Sequence, residues 1–266
     1  MTAYLWEKLS NNEHADYSEI ERIDIREQFV HEPKRLLDIG CARGHVSAAI
    51  KRDFESCEFT WGVDLDLHSI SVAKERLDKT TEHAVENFTP DEIALLKTID
   101  TILLLDVLEH MYDPWRTLRF LASHISEDTQ LIISLPNVMN IYQIQDTVEG
   151  YWQYSRHGLL DITHIRFFTP YEMKKMFYET GFRLENEDYV VRVQNEAMEK
   201  CEQDNIYPCW VTLNQMQIHV QNKEHWLALN SIQVYSRLRI AADENLRSDE
   251  QIWRFGEHSL TQTYKG

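Results

Sequence analysis

The sequence predicts an α/β fold: a doubly wound, mostly parallel seven-stranded sheet with helices on both faces. Short apolar runs bounded by turn residues alternate with stretches in which apolar residues recur at helical spacing. Parallel neighbouring strands need a crossover connection, and a helix commonly supplies it. The 266 residues are enough for one large domain with a modest insertion or appendage.

The strand predictions follow the apolar runs, each of which ends at polar or turn-forming residues. In chain order, the predicted strands are 35–39, 59–65, 82–88, 99–106, 129–137, 182–193 and 230–240. The run at 99–106 gives the clearest strand in the chain, because five of its eight residues are consecutive or near-consecutive isoleucine and leucine.

The helix predictions rest on periodicity and on end signals. Val46, Ala49 and Ile50 share a helical face after the first strand. Further helices are predicted after the second strand, at about 90–97, from Asp113 onwards, and from Thr169 to Gly181.

The remaining segments complete the predicted organisation. The core comprises 35–194 and 231–241, and it contains an aromatic-rich and histidine-rich lid at 138–169. The other predicted parts are an N-terminal helical cap at 1–34 with Ile20, Ile23, Phe29 and Val30 buried, a helical insertion near the C-terminus at 195–230 that carries Trp210 and Trp226, and a polar tail at 242–266.

Composition excludes several classes of protein. The formal net charge of -17 disfavours nucleic acid as a partner, because the summed field repels polyanions. No apolar run is long enough to span a bilayer, and the acidic N-terminus lacks a secretory signal, so we expect a cytoplasmic protein. The four cysteines show no close pairing and are expected to be reduced thiols. The oligomeric state stays open, with a homodimer among the alternatives.

The turn after the first strand indicates a ligand site. "LLDIGCARGH" places Asp38 at the strand end, followed by Gly40, Ala42 and Gly44 before a helix. Ligands of open parallel sheets bind beyond the carboxyl ends of the strands. A dinucleotide-binding turn would have glycine at 40, 42 and 45, and Ala42 and His45 depart from that pattern.

Three motifs together resemble class I S-adenosylmethionine (SAM)-dependent methyltransferases, which have a Rossmann-like fold. They are the acid and small-residue turn at 38–44, "GVDLD" at 62–66, and "LLLDVLEHMYDP" at 103–114. The resemblance implies an ammonium contact at Asp38, a ribose contact at Asp64, and an adenine contact at Glu86 or Asn87. The implied cofactor-binding residues are Asp38, Gly40, Cys41, Ala42, Gly44, Asp64, Leu65, Asn87, Asp106 and Val107.

The acceptor side is predicted from the segment at 150–170. Its aromatic residues beside polar groups suit a carbohydrate, which has an apolar ring face and a hydroxyl rim. "GLLDITHIRFFT" and "DYSEIERIDIREQF" are similar to segments of methyltransferases of polysaccharide and glycan biosynthesis. This similarity implies methylation of a sugar hydroxyl in a glycan or glycolipid precursor.

A divalent metal site is a further hypothesis. Asp106, Glu109, His110 and a later His164 are similar to the magnesium or manganese site of small-RNA terminal 2'-O-methyltransferases, and ubiquinone-pathway O-methyltransferases share part of it. A bound Mg²⁺ or Mn²⁺ would acidify one hydroxyl of a vicinal diol. Without a metal, His164 or His110 would act as general base, and Asp161 is a third catalytic candidate.

Three alternatives to sugar O-methylation remain at this point. N-methylation of an amino sugar or small amine needs no strong base, because a neutral amine is already nucleophilic. Metal-assisted 2'-O-methylation of RNA ends would use the same metal site, although the acidic net charge opposes it. The non-enzymatic alternative is a silent SAM-binding module.

Overall fold

The structure, a computed structural model, describes residues 20–192, 195–213 and 216–241. Most of the predicted N-terminal cap and the whole of the predicted tail at 242–266 lie outside the described residues. None of the described helices is long and apolar enough to cross a membrane.

The predicted seven-stranded, mostly parallel sheet is confirmed. The strands of the described residues are β1 Arg35–Ile39, β2 Phe59–Val63, β3 Lys79–Thr81, β4 Thr101–Leu105, β5 Gln130–Pro136, β6 Phe182–Val191, β7 Cys209–Leu213, β8 Met216–Val220 and β9 Ser231–Ile240. The strand order of the seven-stranded sheet is β3-β2-β1-β4-β5-β9-β6, in which the first five strands are parallel and β9 is antiparallel to both β5 and β6.

Helices cover both faces because the central strands are apolar on both faces. Leu36 and Leu103 are fully buried in the core on one face, and Leu37 and Ile102 are fully buried in the core on the other. The helices are α1 His45–Asp53, α2 Leu67–Ala73, α3 Pro90–Leu96, α4 Pro114–His124, α5 Ile141–Val148, α6 Pro170–Glu179, α7 Glu196–Asp204 and α8 Lys223–Asn230.

The third strand was predicted at the wrong place. It is Lys79–Thr81, whereas Val85–Asn87 forms a 3-10 turn. Val85 and Phe88 are both buried, and their three-residue spacing suits a 3-10 turn rather than an alternating strand. The Phe88 ring stacks on the Trp61 ring with 4.8 Å between the ring centroids, and this contact packs the turn against the core.

The described part of the N-terminal cap is also different from the prediction. It contains a 3-10 helix at Ile23–Gln28, and Ile20, Ile23 and Val30 are exposed rather than buried. The 3-10 helix instead buries Ile25 and Gln28, which are three residues apart and therefore lie on the same face of it.

The insertion at 195–230 contains two helices, α7 and α8, and between them the antiparallel hairpin of β7 and β8. Trp210 lies on a strand with its side chain exposed, and Trp226 lies on a helix and is fully buried. Cys201 and Cys209 form a disulfide within this insertion, so the expectation of reduced thiols is wrong for these two. Cys41 and Cys57 are free and buried.

Candidate active site

The turn between β1 and α1 brings two of the predicted motifs into contact. Gly40, Ala42 and Gly44 all have positive φ angles, of 77°, 45° and 76°. A Cβ on Gly40 would collide with the side chain of Val107, which follows β4. Glycine at position 40 therefore lets the turn lie directly against the segment that begins at Asp106.

Asp38 lies beneath this turn at the carboxyl end of β1. It is 3% exposed, and its Oδ2 accepts a hydrogen bond from Ser47 Oγ at 2.6 Å. The pKa of Asp38 is raised to about 6, chiefly by burial and in part by the neighbouring charge of Asp64, while the Ser47 hydrogen bond and the charge of Arg22 oppose the shift. A cation bound beside Asp38 would offset this burial cost, which fits the predicted ammonium contact.

Asp64 connects the end of β2 to the same turn. Its Oδ2 accepts the Ala42 N–H at 2.8 Å, and its Oδ1 accepts the Asp66 N–H at 2.9 Å. Each carboxylate oxygen has a second lone pair, so a diol contact is compatible with this geometry. Leu65 next to it is 68% exposed, although it is a large apolar residue.

The predicted adenine contacts lie at the 3-10 turn after β3. Asn87 is exposed, and the carboxylate of Glu86 accepts a hydrogen bond from the Thr117 hydroxyl of α4. Glu86 therefore ties this turn to α4, and Asn87 is the more accessible of the two for a ligand.

Asp106 is held by groups that the sequence did not single out. It has a φ of 57°, in the left-handed region that aspartate tolerates better than most residues. Its carboxylate accepts hydrogen bonds from Arg22 Nη1 at 2.6 Å, from Ser134 Oγ at 3.0 Å and from Gln233 Nε2. Arg22 also donates to the Tyr235 hydroxyl at 3.0 Å.

Three of the four predicted metal ligands meet in space. One ligand atom from each of Glu109, His110 and His164 lies within 4.8 Å of the other two. Asp106 is outside this group, and its carboxylate is paired with Arg22. The separation between the Nε2 atom of His164 and the Oε1 atom of Glu109 is 3.9 Å.

Glu109 is a buried acid without a neutralising contact. It is fully buried, and neither of its carboxyl oxygens has a hydrogen-bond partner among the described residues. Burial raises its pKa well above the ordinary value, and the charge of Asp106 raises it further. A buried polar group without a partner costs free energy. A cation or a proton donor that binds next to this carboxyl would offset that cost.

Each of the two histidines places its Nδ1 atom against a backbone carbonyl oxygen. His110 Nδ1 is 3.2 Å from the Thr163 carbonyl oxygen, and His164 Nδ1 is 3.1 Å from the Leu159 carbonyl oxygen. A carbonyl oxygen only accepts, so this network assigns the proton to Nδ1 and leaves the Nε2 lone pair free. Burial, reinforced by the neighbouring His110, lowers the pKa of His164, which favours the neutral form of its imidazole.

Asp161 lies in the lid but outside this group. Its Oδ1 accepts the Thr163 N–H at 2.8 Å and the Thr163 hydroxyl at 2.6 Å. The backbone of Glu109 binds the next part of the lid, because its carbonyl oxygen accepts the N–H groups of Ile165 and Arg166, both at 3.0 Å. Asp161 thus orders the loop whose Thr163 carbonyl contacts His110.

The aromatic residues of the lid divide into two groups. Tyr151, Trp152 and Tyr154 are 52%, 40% and 40% exposed. Phe168 is buried in the core, and Phe167 packs edge-on against Trp152 with 5.3 Å between the ring centroids. The first group is accessible to an acceptor, whereas Phe168 has a structural role.

Sequence reasoning missed Arg22, Ser134, Gln233 and Tyr235. Ser134 had a local signal, since it is a polar residue inside an otherwise apolar run and is fully buried. Arg22 had none, because it lies before the first strand and reaches a residue 84 positions away.

A comparison with known protein families identifies the family of this chain. Residues 15–187 match the model of a family described as "Methyltransferase domain". The chain belongs to this methyltransferase family. Its fold and these motifs make the protein a SAM-dependent methyltransferase.

A named relative is similar over part of the chain. Ubiquinone biosynthesis O-methyltransferase of Coxiella burnetii is 28% identical over 166 residues, which cover 60% of this chain and 68% of the relative.

Solved structures share the fold at low identity. A SAM-dependent methyltransferase of Thermotoga maritima, described as a possible histamine N-methyltransferase, has a TM-score of 0.54 at 15% identity and covers 88% of this chain and 97% of its own. The plantazolicin methyltransferase has a TM-score of 0.52 at 14% identity, with 85% and 87% covered.

Proposed function

We propose that this methyltransferase transfers the methyl group of SAM to a hydroxyl of a sugar in a glycan or glycolipid precursor, and that a divalent cation held by Glu109, His110 and His164 assists the reaction. The observation that carries the proposal is the fully buried carboxyl of Glu109, which has no hydrogen-bond partner among the described residues and lies beside the imidazoles of His110 and His164.

The donor set fits a divalent cation. Two imidazoles and one carboxylate suit Mn²⁺ and related divalent ions, and additional oxygen ligands from the acceptor would suit Mg²⁺. When bound, the ion would lower the pKa of an acceptor hydroxyl. The backbone carbonyls of Thr163 and Leu159 orient the two imidazoles, which is the role of outer contacts in metal sites.

The remaining residues hold the two reactants. The Asp38 and Asp64 turn supports the amino-acid and ribose parts of the cofactor at the ends of β1 and β2. Asp161 orders the lid loop that carries Thr163. Methyl transfer from a sulfonium is an in-line displacement, so the orientation of the acceptor supplies much of the rate.

The acceptor class is supported by the lid. Exposed Tyr151, Trp152 and Tyr154 offer ring faces for the apolar side of a sugar. A sugar also presents vicinal hydroxyls, which suit a shared cation. The net charge of -17 favours a neutral acceptor over RNA.

A catechol is the second candidate acceptor. It also presents two adjacent oxygens, and the name of the Coxiella burnetii relative, a ubiquinone biosynthesis O-methyltransferase, favours an aromatic hydroxyl. The exposed rings of the lid can stack on an aromatic acceptor as well as on a sugar.

Methyl-labelled SAM tests the proposal with a panel of neutral glycans, catechols, amines and RNA, each with Mn²⁺, with Mg²⁺ and after exhaustive chelation. We expect alkali-stable methyl incorporation into a glycan that is lost on chelation and restored by Mn²⁺ or Mg²⁺. Incorporation into catechols alone would replace the sugar by the second candidate. Labelling of amines or RNA alone would contradict O-methylation of a neutral diol.

Two histidine variants test the cation part. His164→Ala should lower turnover by at least tenfold while binding of S-adenosylhomocysteine persists. His157→Ala, a histidine of the same lid that lies outside the cluster, is the matched control and should retain turnover. Full activity of the chelated wild-type enzyme would remove the cation from the mechanism and leave His164 or His110 as general base.

A further inference from the structure

The hairpin of β7 and β8 has one buried face and one exposed face. Successive side chains of a strand point to opposite faces. Val211 and Leu213 of β7 are 2% and 3% exposed and belong to the apolar cluster of the insertion, whereas Trp210 is 68% exposed. The inner face therefore anchors the hairpin, and the Trp210 ring is not needed for that core.

Four exposed side chains form the outer face of the hairpin, in two cross-strand pairs. Trp210 pairs with His219, and Thr212 pairs with Gln217. The centroids of the Trp210 and His219 rings are 4.7 Å apart, and the ring planes are 32° from parallel. Gln217 Nε2 donates to Thr212 Oγ1 at 3.3 Å. An indole thus lies beside an imidazole, a hydroxyl and an amide, and we call these four residues the hairpin platform.

The hairpin platform is joined to the lid through the core of the insertion. A disulfide between Cys201 and Cys209 ties the residue before Trp210 to α7. The apolar cluster beneath the platform includes Ile141 of α5, which is part of the lid at 138–169. The platform is therefore attached to the segment that carries the proposed acceptor site.

The chemistry of the hairpin platform suits a neutral saccharide. A sugar ring has an apolar face that can stack on an indole, and its rim of hydroxyls can bond to amide, hydroxyl and imidazole groups. None of the four platform residues is an acid, a lysine or an arginine, although such residues make up 27% of the chain. A charged ligand would find no ion-pair partner of these types on the platform.

The size of the hairpin platform argues against a protein as its occupant. A stable protein interface buries about 800 Å² on each side and involves roughly 20 to 30 residues a side. The platform offers four side chains, of which Trp210 alone is large and apolar. Residues two apart on a strand lie about 6.6 to 6.8 Å apart, so the two cross-strand pairs cover a surface about as large as a sugar ring.

We propose that the hairpin platform is a second binding site for the glycan acceptor, separate from the site of methyl transfer. A neutral sugar ring stacks on Trp210, and Thr212, Gln217 and His219 bond to its hydroxyls. This inference rests on the proposed function, because it takes the acceptor to be a saccharide of several sugar units. A glycan held at two sites binds more tightly than a single sugar, since its second contact is intramolecular. The platform thereby selects extended glycans over monosaccharides.

An array of oligosaccharides tests the platform without turnover. It carries linear glucans, mannans and galactans of increasing length beside polyuronates of matched length, and it is probed with the labelled full-length protein in saturating S-adenosylhomocysteine. We expect the wild type to bind a neutral class in preference to the polyuronates. Binding of no neutral class, or preference for the polyuronates, would overturn the proposal.

Two substitutions of Trp210 test whether its ring face carries the binding. Trp210→Leu should weaken binding to the neutral glycan at least about tenfold, whereas Trp210→Tyr should keep most of it, because tyrosine retains a ring face and leucine does not. The matched control is Ile206→Ala, since Ile206 is 67% exposed in the same insertion and has no ring. It should bind like the wild type. Equal binding by Trp210→Leu and the wild type, or equal loss in Ile206→Ala, would contradict the proposal.

Light scattering of the wild type and of Trp210→Leu tests a second copy of this chain as the occupant. We expect the two proteins to have the same mass in solution. A dimer that Trp210→Leu dissociates would overturn the saccharide site.

Methyl-transfer kinetics distinguish this proposal from the proposed function. Trp210→Leu should raise the KM for an extended glycan more than the KM for a monosaccharide glycoside, and equal effects on both would overturn the second site. Methylation of a glycan without any effect of Trp210→Leu would overturn the platform and leave the proposed function intact. Array binding that depends on Trp210, without methylation of any glycan, would leave the saccharide site and overturn the proposed sugar acceptor.

Discussion

Replacement of Glu109 by methionine is expected to stabilise the cation-free protein. Glu109 is fully buried, and its two carboxyl oxygens lack hydrogen-bond partners among the described residues. A buried polar group without a partner costs about 1 to 3 kcal/mol. Methionine has a similar length, adapts to irregular space and has no hydrogen-bonding requirement, so Glu109→Met should recover about that amount of unfolding free energy.

The same change should abolish stabilisation by a cation. For a domain of this size, 1 kcal/mol corresponds to a shift in Tm of about 2 to 4 °C, so the variant should melt about 2 to 12 °C above the wild type in chelator. Mn²⁺ at about 100 times its Kd should stabilise the wild type by about 2.7 kcal/mol and the variant by nothing. Calorimetric melting and urea unfolding, each with chelator and with Mn²⁺, measure both effects.

Glu92 provides the matched control, because it is also buried but its carboxylate is fully engaged. It accepts hydrogen bonds from the Thr81 hydroxyl at 2.8 Å and from the Thr89 N–H and hydroxyl, both at 3.0 Å. Glu92→Met should therefore lose stability. The reasoning about Glu109 fails if Glu109→Met is less stable than the wild type in chelator, or if Mn²⁺ stabilises that variant as much as the wild type.

Three further changes have expected outcomes. Asp38→Asn should stabilise the ligand-free protein by about 3 kcal/mol at pH 8 and by little at pH 4. The pKa of Asp38 is raised from 3.8 to about 6, so its ionisation costs stability as the pH rises through this range. Urea unfolding measures the gain, and calorimetry should show at least tenfold weaker S-adenosylhomocysteine binding. Glu92→Gln should remove about 3 kcal/mol of unfolding free energy, which the wild type has in full above pH 4.5 and loses as the pH falls towards 2. The reason is that hydrogen bonds lower the pKa of Glu92 to about 2 against the effect of burial. Unfolding at pH 7 and pH 3 checks the difference. Gly40→Ala should cost at least about 1 kcal/mol and weaken S-adenosylhomocysteine binding, because the added Cβ collides with Val107 at a positive φ; recovery of part of the binding in Gly40→Ala with Val107→Ala checks the cause.

The local patterns predicted the central sheet and the sharp glycine turn after β1 well. The apolar runs that became β1, β2, β4 and β5 bury both faces, and such runs are visible without any knowledge of their neighbours. The glycine turn and the segment at Asp106 were expected at one edge of the sheet, because parallel neighbouring strands end at the same edge. The contact of Gly40 with Val107 agrees with that expectation.

The third strand and the insertion show the limit of such patterns. The apolar residues Val85 and Phe88 drew the strand prediction to a segment that packs as a 3-10 turn, while the strand itself, Lys79–Thr81, has no apolar residue. Trp210 lies on the hairpin of the insertion with its side chain exposed. The apolar residues of this segment were therefore not a reliable sign of its secondary structure.

By itself, the sequence determined the order of strands and helices, the sharp turn after β1 and the acids that follow the strands, because these depend on periodicity and on φ angles within a few residues. Only the tertiary structure decided which acids are free to bind. It paired Asp106 with Arg22, left the Glu109 carboxyl without a hydrogen bond within the described part of the chain, and used Asp161 to order the lid. These outcomes depend on burial and on contacts between segments far apart in the chain, and neither leaves a local pattern in the sequence.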